Sequence, residues 1–358
     1  MISTTRPTFA IERTTKSRIS EVDFNNIEFG KYISDHMLVA DYLDNKWHTP
    51  KIVPFGDIPM SPAMLSLHYG QSVFEGMKAF LNKDGDICIF RPQKHAARLN
   101  KSLVRMCMPE IPEELFMQSL HAIVETEKPW IPAAEGASLY IRPVVFAFEP
   151  RLRVKLADHF KFFILTSPAG AYFSAPTRLK VEKTFVRAAE GGTGFAKCAG
   201  NYGGAFYPNQ LAREEGFDQV LWTDAKEHKY IDEAGVMNIM FIVDGKLITP
   251  KLTSALLDGV TRDTILKLAP GLGMTVEEKR ISVAEIEEAF KKGTLSEAFG
   301  TGTAAVVSPI AAINIEGVDY KLPEAGPESF QQRVKQKLND IRLGHEPDVH
   351  GWNYIINA

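Results

Sequence analysis

Between Ser167 and Thr177 the chain reads Ser-Pro-Ala-Gly-Ala-Tyr-Phe-Ser-Ala-Pro-Thr. Proline, glycine, alanine and serine packed this densely punctuate regular structure, and no other stretch reads so clearly as a linker. It divides the 358 residues into two halves, each near the roughly 100–200 residues of an ordinary domain. The expected organisation is a smaller α/β domain over 1–166, a linker over 167–177 and a larger α/β domain over 178–358.

Each half mixes short strands and helices without a clean βαβ rhythm, so the expected class is mixed α/β. Strand candidates rich in β-branched and aromatic residues are Asp86–Phe90, Leu139–Phe148 and Phe160–Thr166. A helix is predicted after Arg91, with Pro92 in its first turn and an apolar stripe of Leu99, Leu103 and Met106. In the second half Arg178–Arg187 reads as extended, Asn209–Glu215 as a helix end stopped by Gly216, and Asp218–Thr223 as a buried strand. Ser282 and Glu285 have the spacing of a capping box before Ile286 and Phe290. Phe330, Val334, Leu338 and Ile341 line one face of a helix closed by Gly344, and the tail with Trp352 is expected to pack on the body.

Hydrophobic content of 45%, charge of 24% and a net charge of −3 are those of a globular chain. They give no reason to expect a nucleic-acid or membrane partner, and no apolar run of about 18 residues is present. The first 18 residues faintly resemble an organelle transit peptide and are read as a short disordered tail. Three cysteines, Cys88, Cys107 and Cys198, stand at unrelated spacings, which suggests reduced thiols, a cytoplasmic location and no metal site.

Chemistry concentrates in Gly191–Gly204, where six glycines surround Lys197 and no other cation intervenes. Two readings stand on this segment alone: a flexible glycine loop with a solvated lysine, or a desolvated amine ready for Schiff-base chemistry. A lysine bound to pyridoxal phosphate implies further groups. The pyridine nitrogen wants a carboxylate, and Glu233 stands just before the apolar run Ile239–Val243. The phenolic oxygen wants a donor, and Tyr202 lies five residues beyond the lysine.

The phosphate wants main-chain N–H groups at a helix start, hydroxyls and a fixed positive charge. Gly259-Val260-Thr261 opening a helix, Gly300-Thr301-Gly302-Thr303 and Arg91 before Pro92 are the candidates. Dinucleotide Gly-x-Gly-x-x-Gly spacing at a strand–helix junction, clustered metal ligands and a Gly-x-Ser-x-Gly elbow are absent.

The order of these pieces resembles the class IV (fold-type IV) pyridoxal-phosphate aminotransferases, and specifically the branched-chain amino acid aminotransferases. The likeness runs from about Phe29 to the last helix. It is carried by Lys197-Cys-Ala-Gly-Asn-Tyr202, by Glu233 through Asn238, Thr249, Gly259 and Arg262, and by Phe29 through Asp35-His36-Met37-Leu38. The runs Leu67–Ala79 and Leu139–Pro143 add to it. Met240 stands where the signature has Phe or Tyr. D-amino-acid aminotransferases and aminodeoxychorismate lyases share the lysine and glutamate logic but are shorter.

The resemblance implies a two-domain aminotransferase architecture and transamination of L-leucine, L-isoleucine and L-valine with 2-oxoglutarate by a ping-pong route. It implies pyridoxal 5′-phosphate as cofactor, amino acids and 2-oxo acids as substrates, and a homodimer. Lys197 would carry the cofactor and Glu233 the pyridine nitrogen. Tyr202 would bond the phenolic oxygen, with Arg91, Val260, Thr261 and Thr303 around the phosphate. Phe29, Tyr69, Phe74, Tyr140, Arg142 and Ala304 would line the substrate side. Ala305 and Ser308 replace the two cysteines of a thiol switch found in some members, so no such switch is expected. Val236 replaces a threonine that supports the cofactor in some relatives. The reading from another class is a non-catalytic carrier of a phosphate ligand or cofactor.

Overall fold

The computed structural model describes residues 9–134, 136–170, 175–304 and 306–357. They resolve into two compact units. The first holds the described residues of Met1–Tyr172, Ala196–Ala199 and Asp340–Ala358. The second holds those of Phe173–Phe195 and Gly200–Asn339. Lys197 therefore belongs to the first unit and not, as expected, to the domain formed by its sequence neighbours. The reason is main-chain pairing of Ala196–Ala199 with Ser72–Phe74. Ala171–Ser174, inside the expected linker, lie outside the described residues, while Ser167–Ala169 are the end of a strand.

In the first unit ten strands form one sheet among the described residues. Its main path runs Ala10–Ile11, Lys51–Pro54, His36–Leu43, Phe160–Ala169, Ser138–Ala147, Met77–Leu81, Ile87–Phe90 and Asn353–Ile356. Pairing along it is antiparallel except between the first two strands. Alternation along Ser138–Ala147 sends Leu139, Ile141 and Val145 to a core where each is fully buried, and leaves Tyr140 and Arg142 on the opposite face.

The helix Pro92–Arg105 opens as expected, with Pro92 at its first position. Arg91 caps it in the left-handed region, φ 52°. Its buried residues His95, Ala96, Arg98, Leu99, Ser102 and Leu103 recur at helical spacing, so the inward face carries charge as well as aliphatics. The tail packs as expected: Asn353–Ile356 pairs with Ile87–Phe90, and Trp352 is buried. Of the segment expected to be a disordered tail, residues 1–8 lie outside the described residues and the remainder departs from that expectation. From Ala10 it pairs with Lys51 and Ile52, and Ser17 and Arg18 bond the Asp35 carboxylate.

In the second unit nine strands share a sheet among the described residues. Ile231–Ala234 pairs with Gln219–Thr223 on one side and, through Glu233 and Ala234, with Asn238 and Met237 on the other. That second pairing closes Thr177–Val181, Gln219–Thr223, Ile231–Ala234, Met237–Val243, Leu295–Gly302 and Val306–Ile315 into a barrel. Closure removes the exposed edges that an open sheet would present. Of the extended stretch Arg178–Arg187, only Thr177–Val181 is strand.

Helix Val283–Lys292 starts at Ser282, whose hydroxyl accepts the Glu285 N–H. The reciprocal half of the capping box is missing because the Glu285 carboxylate goes to Lys279 at 2.5 Å. Among the described residues no helix is long and apolar enough to cross a membrane.

Candidate active site

In the first unit, Ala196–Ala199 runs extended and antiparallel along Ser72–Phe74 through an isolated bridge. Val73 and Cys198 bridge, the Phe74 N–H donates to the Lys197 carbonyl at 3.0 Å, and the Ala199 N–H donates to Ser72 at 3.0 Å. Ala196 and Cys198, on either side of the lysine, are 1% exposed and part of this unit's core. Side chains alternate along a strand, so burying these two turns Lys197 to the other face. Its Nζ lies 4.7 Å from the centre of the Phe74 ring. An ammonium over a ring face is attracted by the ring's quadrupole.

Phe74 is the hub of a polar–aromatic cluster. The Arg142 guanidinium lies 4.6 Å from its ring centre and 5.2 Å from that of Tyr140. Arg142 also donates to the Tyr140 hydroxyl at 2.9 Å, and Phe29 packs edge-on against Tyr140 with centroids 5.0 Å apart. The Nε of Arg142 is buried without a hydrogen-bond partner among the described residues. A half-buried guanidinium with one buried donor lacking a partner among the described residues is fitted to receive an anion. The structure thus brings Phe29, Phe74, Tyr140, Arg142 and Lys197 together. Tyr69 stands apart, 41% exposed, with its hydroxyl donated to the Leu152 carbonyl.

Arg91 is buried. Its main-chain N–H donates to Trp352 at 2.7 Å and its guanidinium stacks 5.0 Å from the Trp352 ring centre. It stands at the amino end of a 14-residue helix, where the helix dipole adds positive potential.

In the second unit Glu233, 3% exposed, is held from two sides. Its Oε1 accepts the Leu257 N–H at 2.7 Å, and its Oε2 lies 3.2 Å from the Arg187 Nε. A carboxylate buried this deeply keeps its charge only with such partners. The Asn238 amide, facing it across the strand pair, donates to Leu257 at 2.9 Å.

Gly259 is required here, since a Cβ would lie 2.0 Å from the Asn238 Oδ1. Immediately after it, helix Val260–Leu268 begins with Val260 and Thr261 buried. Arg262 is committed elsewhere, to Pro250 and Glu278. Thr303 and Ala304 are half-buried in the turn after Leu295–Gly302, and Tyr202 is half-buried in the one-turn helix Gly200–Gly203. The Thr301 hydroxyl is buried with no partner among the described residues.

Among the glycines around the lysine, Gly194 has a packing reason: a Cβ there would lie 2.2 Å from the Ala255 carbonyl. It lets its own loop pack, and the Gly194 carbonyl also accepts from Arg187 at 3.2 Å. Gly192 meets the Ala189 carbonyl in the same way, whereas Gly200 meets nothing within 4 Å. Val236 sits in the exposed turn before Met237–Val243. Ser308 is buried, and Ala305 lies outside the described residues.

Six neighbours of the site escaped the sequence reading. Glu75 and Gly76 lie inside the run Leu67–Ala79, but nothing in their spacing points to His95 and Arg98, which bond Glu75. Arg187 was read only as the end of an extended stretch, and Ser102 looked like an ordinary helix residue.

This arrangement is that of a family. The family described as amino-transferase class IV matches residues 72–313, and the chain belongs to it. Two relatives narrow the likeness. A probable branched-chain-amino-acid aminotransferase of Staphylococcus aureus is 44% identical over 337 residues, covering 93% of this chain and 94% of that protein. Branched-chain-amino-acid aminotransferase 2 of Bacillus subtilis is 41% identical over 358 residues, covering 99% and 98%. Among solved structures, the branched-chain aminotransferase of Thermoproteus uzoniensis with norvaline superposes with a TM-score of 0.73 at 26% identity, over 88% of this chain and 98% of that one.

Proposed function

We propose that the chain catalyses transfer of the α-amino group of L-leucine, L-isoleucine and L-valine to 2-oxoglutarate. The observation that carries this reading is likeness to branched-chain aminotransferases over nearly the whole chain, coupled to a lysine held beside Phe74 and Arg142. Class IV aminotransferases use pyridoxal 5′-phosphate. When bound, it supplies an electron sink for the charge left as the α-proton departs.

The donor set fits that group. Lys197 would hold it covalently, and its free amine would act as the base that moves the α-proton. Glu233, bonded by Arg187 and the Leu257 N–H, would hold a proton on the pyridine nitrogen. Tyr202 donates to the phenolic oxygen. Arg91, the Val260 N–H, Thr261 and Thr303 would take the phosphate.

Phe29, Phe74 and Tyr140 would line the apolar side of the substrate site, and Arg142 would take the side-chain carboxylate of glutamate. One site can then serve both substrates. Apolar burial is non-directional, and the carboxylate has a charged partner waiting. We infer that the enzyme works as a homodimer in the cytoplasm.

The test is direct. Purified protein should be yellow, lose its colour with borohydride, and yield a Lys197 peptide heavier by the reduced cofactor. It should transaminate L-leucine against 2-oxoglutarate with ping-pong kinetics. Colourless protein without that activity would overturn the reading, and preference for D-alanine over L-leucine would overturn the substrate assignment.

A further inference from the structure

The main chain of Lys197 is bonded on both sides, and its two attachments are themselves tied together. On one side its carbonyl accepts the Phe74 N–H at 3.0 Å. On the other its N–H leaves the strand pairing and donates to the Ser102 hydroxyl at 2.9 Å. That hydroxyl in turn donates to the Arg98 carbonyl at 2.9 Å. The Arg98 guanidinium grips Glu75 with Nε at 2.7 Å and Nη2 at 2.8 Å, and the His95 Nδ1 bonds the same carboxylate at 2.8 Å. Glu75 directly follows Phe74, so the ring of contacts closes.

Ser102 is fully buried in the last turn of the helix, a position where serine offers no advantage over alanine in propensity. Without an outside partner its hydroxyl would need only the carbonyl one turn back. Here it uses its donor on that carbonyl and its acceptor on the lysine. Glu75 is fully buried too. Burial acts to raise its carboxyl, yet Arg98 and then His95 outweigh this and hold it well below the ordinary carboxylate range. Burial keeps His95 neutral, with Glu75 opposing it only in part. The network is therefore satisfied at neutral pH and stiff.

We propose that Ser102 is a positioning residue for Lys197. Its hydroxyl fixes the height of the lysine's main chain above Phe74, and the Glu75–His95–Arg98 cluster locks the helix carrying that hydroxyl to the strand carrying Phe74. The role in catalysis rests on the function proposed above. The role in holding the main chain does not.

The experiment compares the wild type with Ser102→Ala and Ser102→Thr, each as apoprotein and as holoenzyme. In apoprotein, hydrogen exchange of the peptide containing Lys197 should speed up at least about tenfold in Ser102→Ala, since that amide loses its acceptor, and return toward wild type in Ser102→Thr. In holoenzyme, Ser102→Ala should shift the pH midpoint of the cofactor's absorption band and lower kcat by about 10–100-fold, the scale of a small misplacement. KM for L-leucine should stay near wild type, and Ser102→Thr should restore kcat.

Unchanged exchange in Ser102→Ala would overturn the proposal, as would faster exchange with an unmoved absorption midpoint and wild-type kcat. If Ser102→Ala does not fold, Ser102→Cys, with a weak acceptor of similar size, takes its place under the same criteria. A wild type that binds no cofactor would defeat the proposed function, while the exchange result would still decide whether Ser102 holds Lys197.

Discussion

Arg187 and Glu233 form an ion pair at 3.2 Å in the second unit, and the same arginine reaches the carbonyls of Gly194 and Ala255. One side chain thus anchors the carboxylate assigned to the pyridine nitrogen and fastens the glycine loop that leads to Lys197. The Leu257 N–H completes the hold on Glu233, two residues before the Gly259 that opens the next helix.

Glu233→Gln keeps the shape and removes the charge. The protein should fold and still bind the cofactor, while kcat falls by about 10²–10³-fold, the usual loss for a polar group aimed at transition-state charge. Steady-state kinetics with L-leucine measure it. A fall of less than threefold would remove Glu233 from the role given to it.

Arg142→Met should separate the two substrates. Losing a charged hydrogen bond of about 1.5–3 kcal/mol should raise KM for L-glutamate and 2-oxoglutarate by tenfold or more. KM for L-leucine should change far less. Equal effects on both would mean that Arg142 only shapes the aromatic cluster.

Gly76→Ala tests how closely Tyr140 is held. A Cβ at Gly76 would lie 2.1 Å from the Tyr140 hydroxyl, so the ring must move and release its bond to Arg142. Overpacking of this kind costs about 1–3 kcal/mol. Thermal melting should register the loss, and KM for L-leucine should rise.

Glu75→Gln leaves Arg98 buried without its charge partner and should cost about 3–5 kcal/mol at neutral pH. The folded carboxyl sits below its unfolded value of 4.5. Its stabilisation is thus complete above that pH and is lost as pH falls through the folded value. Denaturant melts at pH 7 and pH 3 should show the gap between variant and wild type narrowing in acid.

Asp232 gives the opposite sign. Burial first, and Glu233 beside it second, push its carboxyl from 3.8 up to about 7. The folded state therefore binds more protons than the unfolded one across that window, and stability declines as pH climbs through it. Asp232→Asn should match wild type near pH 4 and exceed it by about 1–3 kcal/mol at pH 8.

Much of the local structure was legible in the sequence because it rests on local physics. Pro92 after Arg91, with apolar residues at three- and four-residue spacing, marked the helix Pro92–Arg105. The β-branched runs marked the strands Ile87–Phe90, Ser138–Ala147 and Phe160–Ala169. Ser282 marked a helix start by its hydroxyl, although the Glu285 half of that signal was diverted to Lys279. The linker was less legible. Ser167–Ala169 look like loop by composition, yet they have a full partner strand in Ser138–Tyr140.

By itself the sequence pointed to the residues proposed to carry the chemistry: Lys197 among its glycines, Glu233 before its strand, and Arg91, Thr261 and Thr303 at their turns. Their types and order are properties of the chain. Only the tertiary structure decided how that chemistry is held. Ala196–Ala199 joins Ser72–Phe74 across more than a hundred residues, and Ser102, Arg98 and Glu75 meet around it. Main-chain hydrogen bonds of this kind have no residue code, since every N–H and C=O looks alike along the chain. Which of them pair is set by where the barrel and the sheet bring the chain, and burial then makes those pairings obligatory.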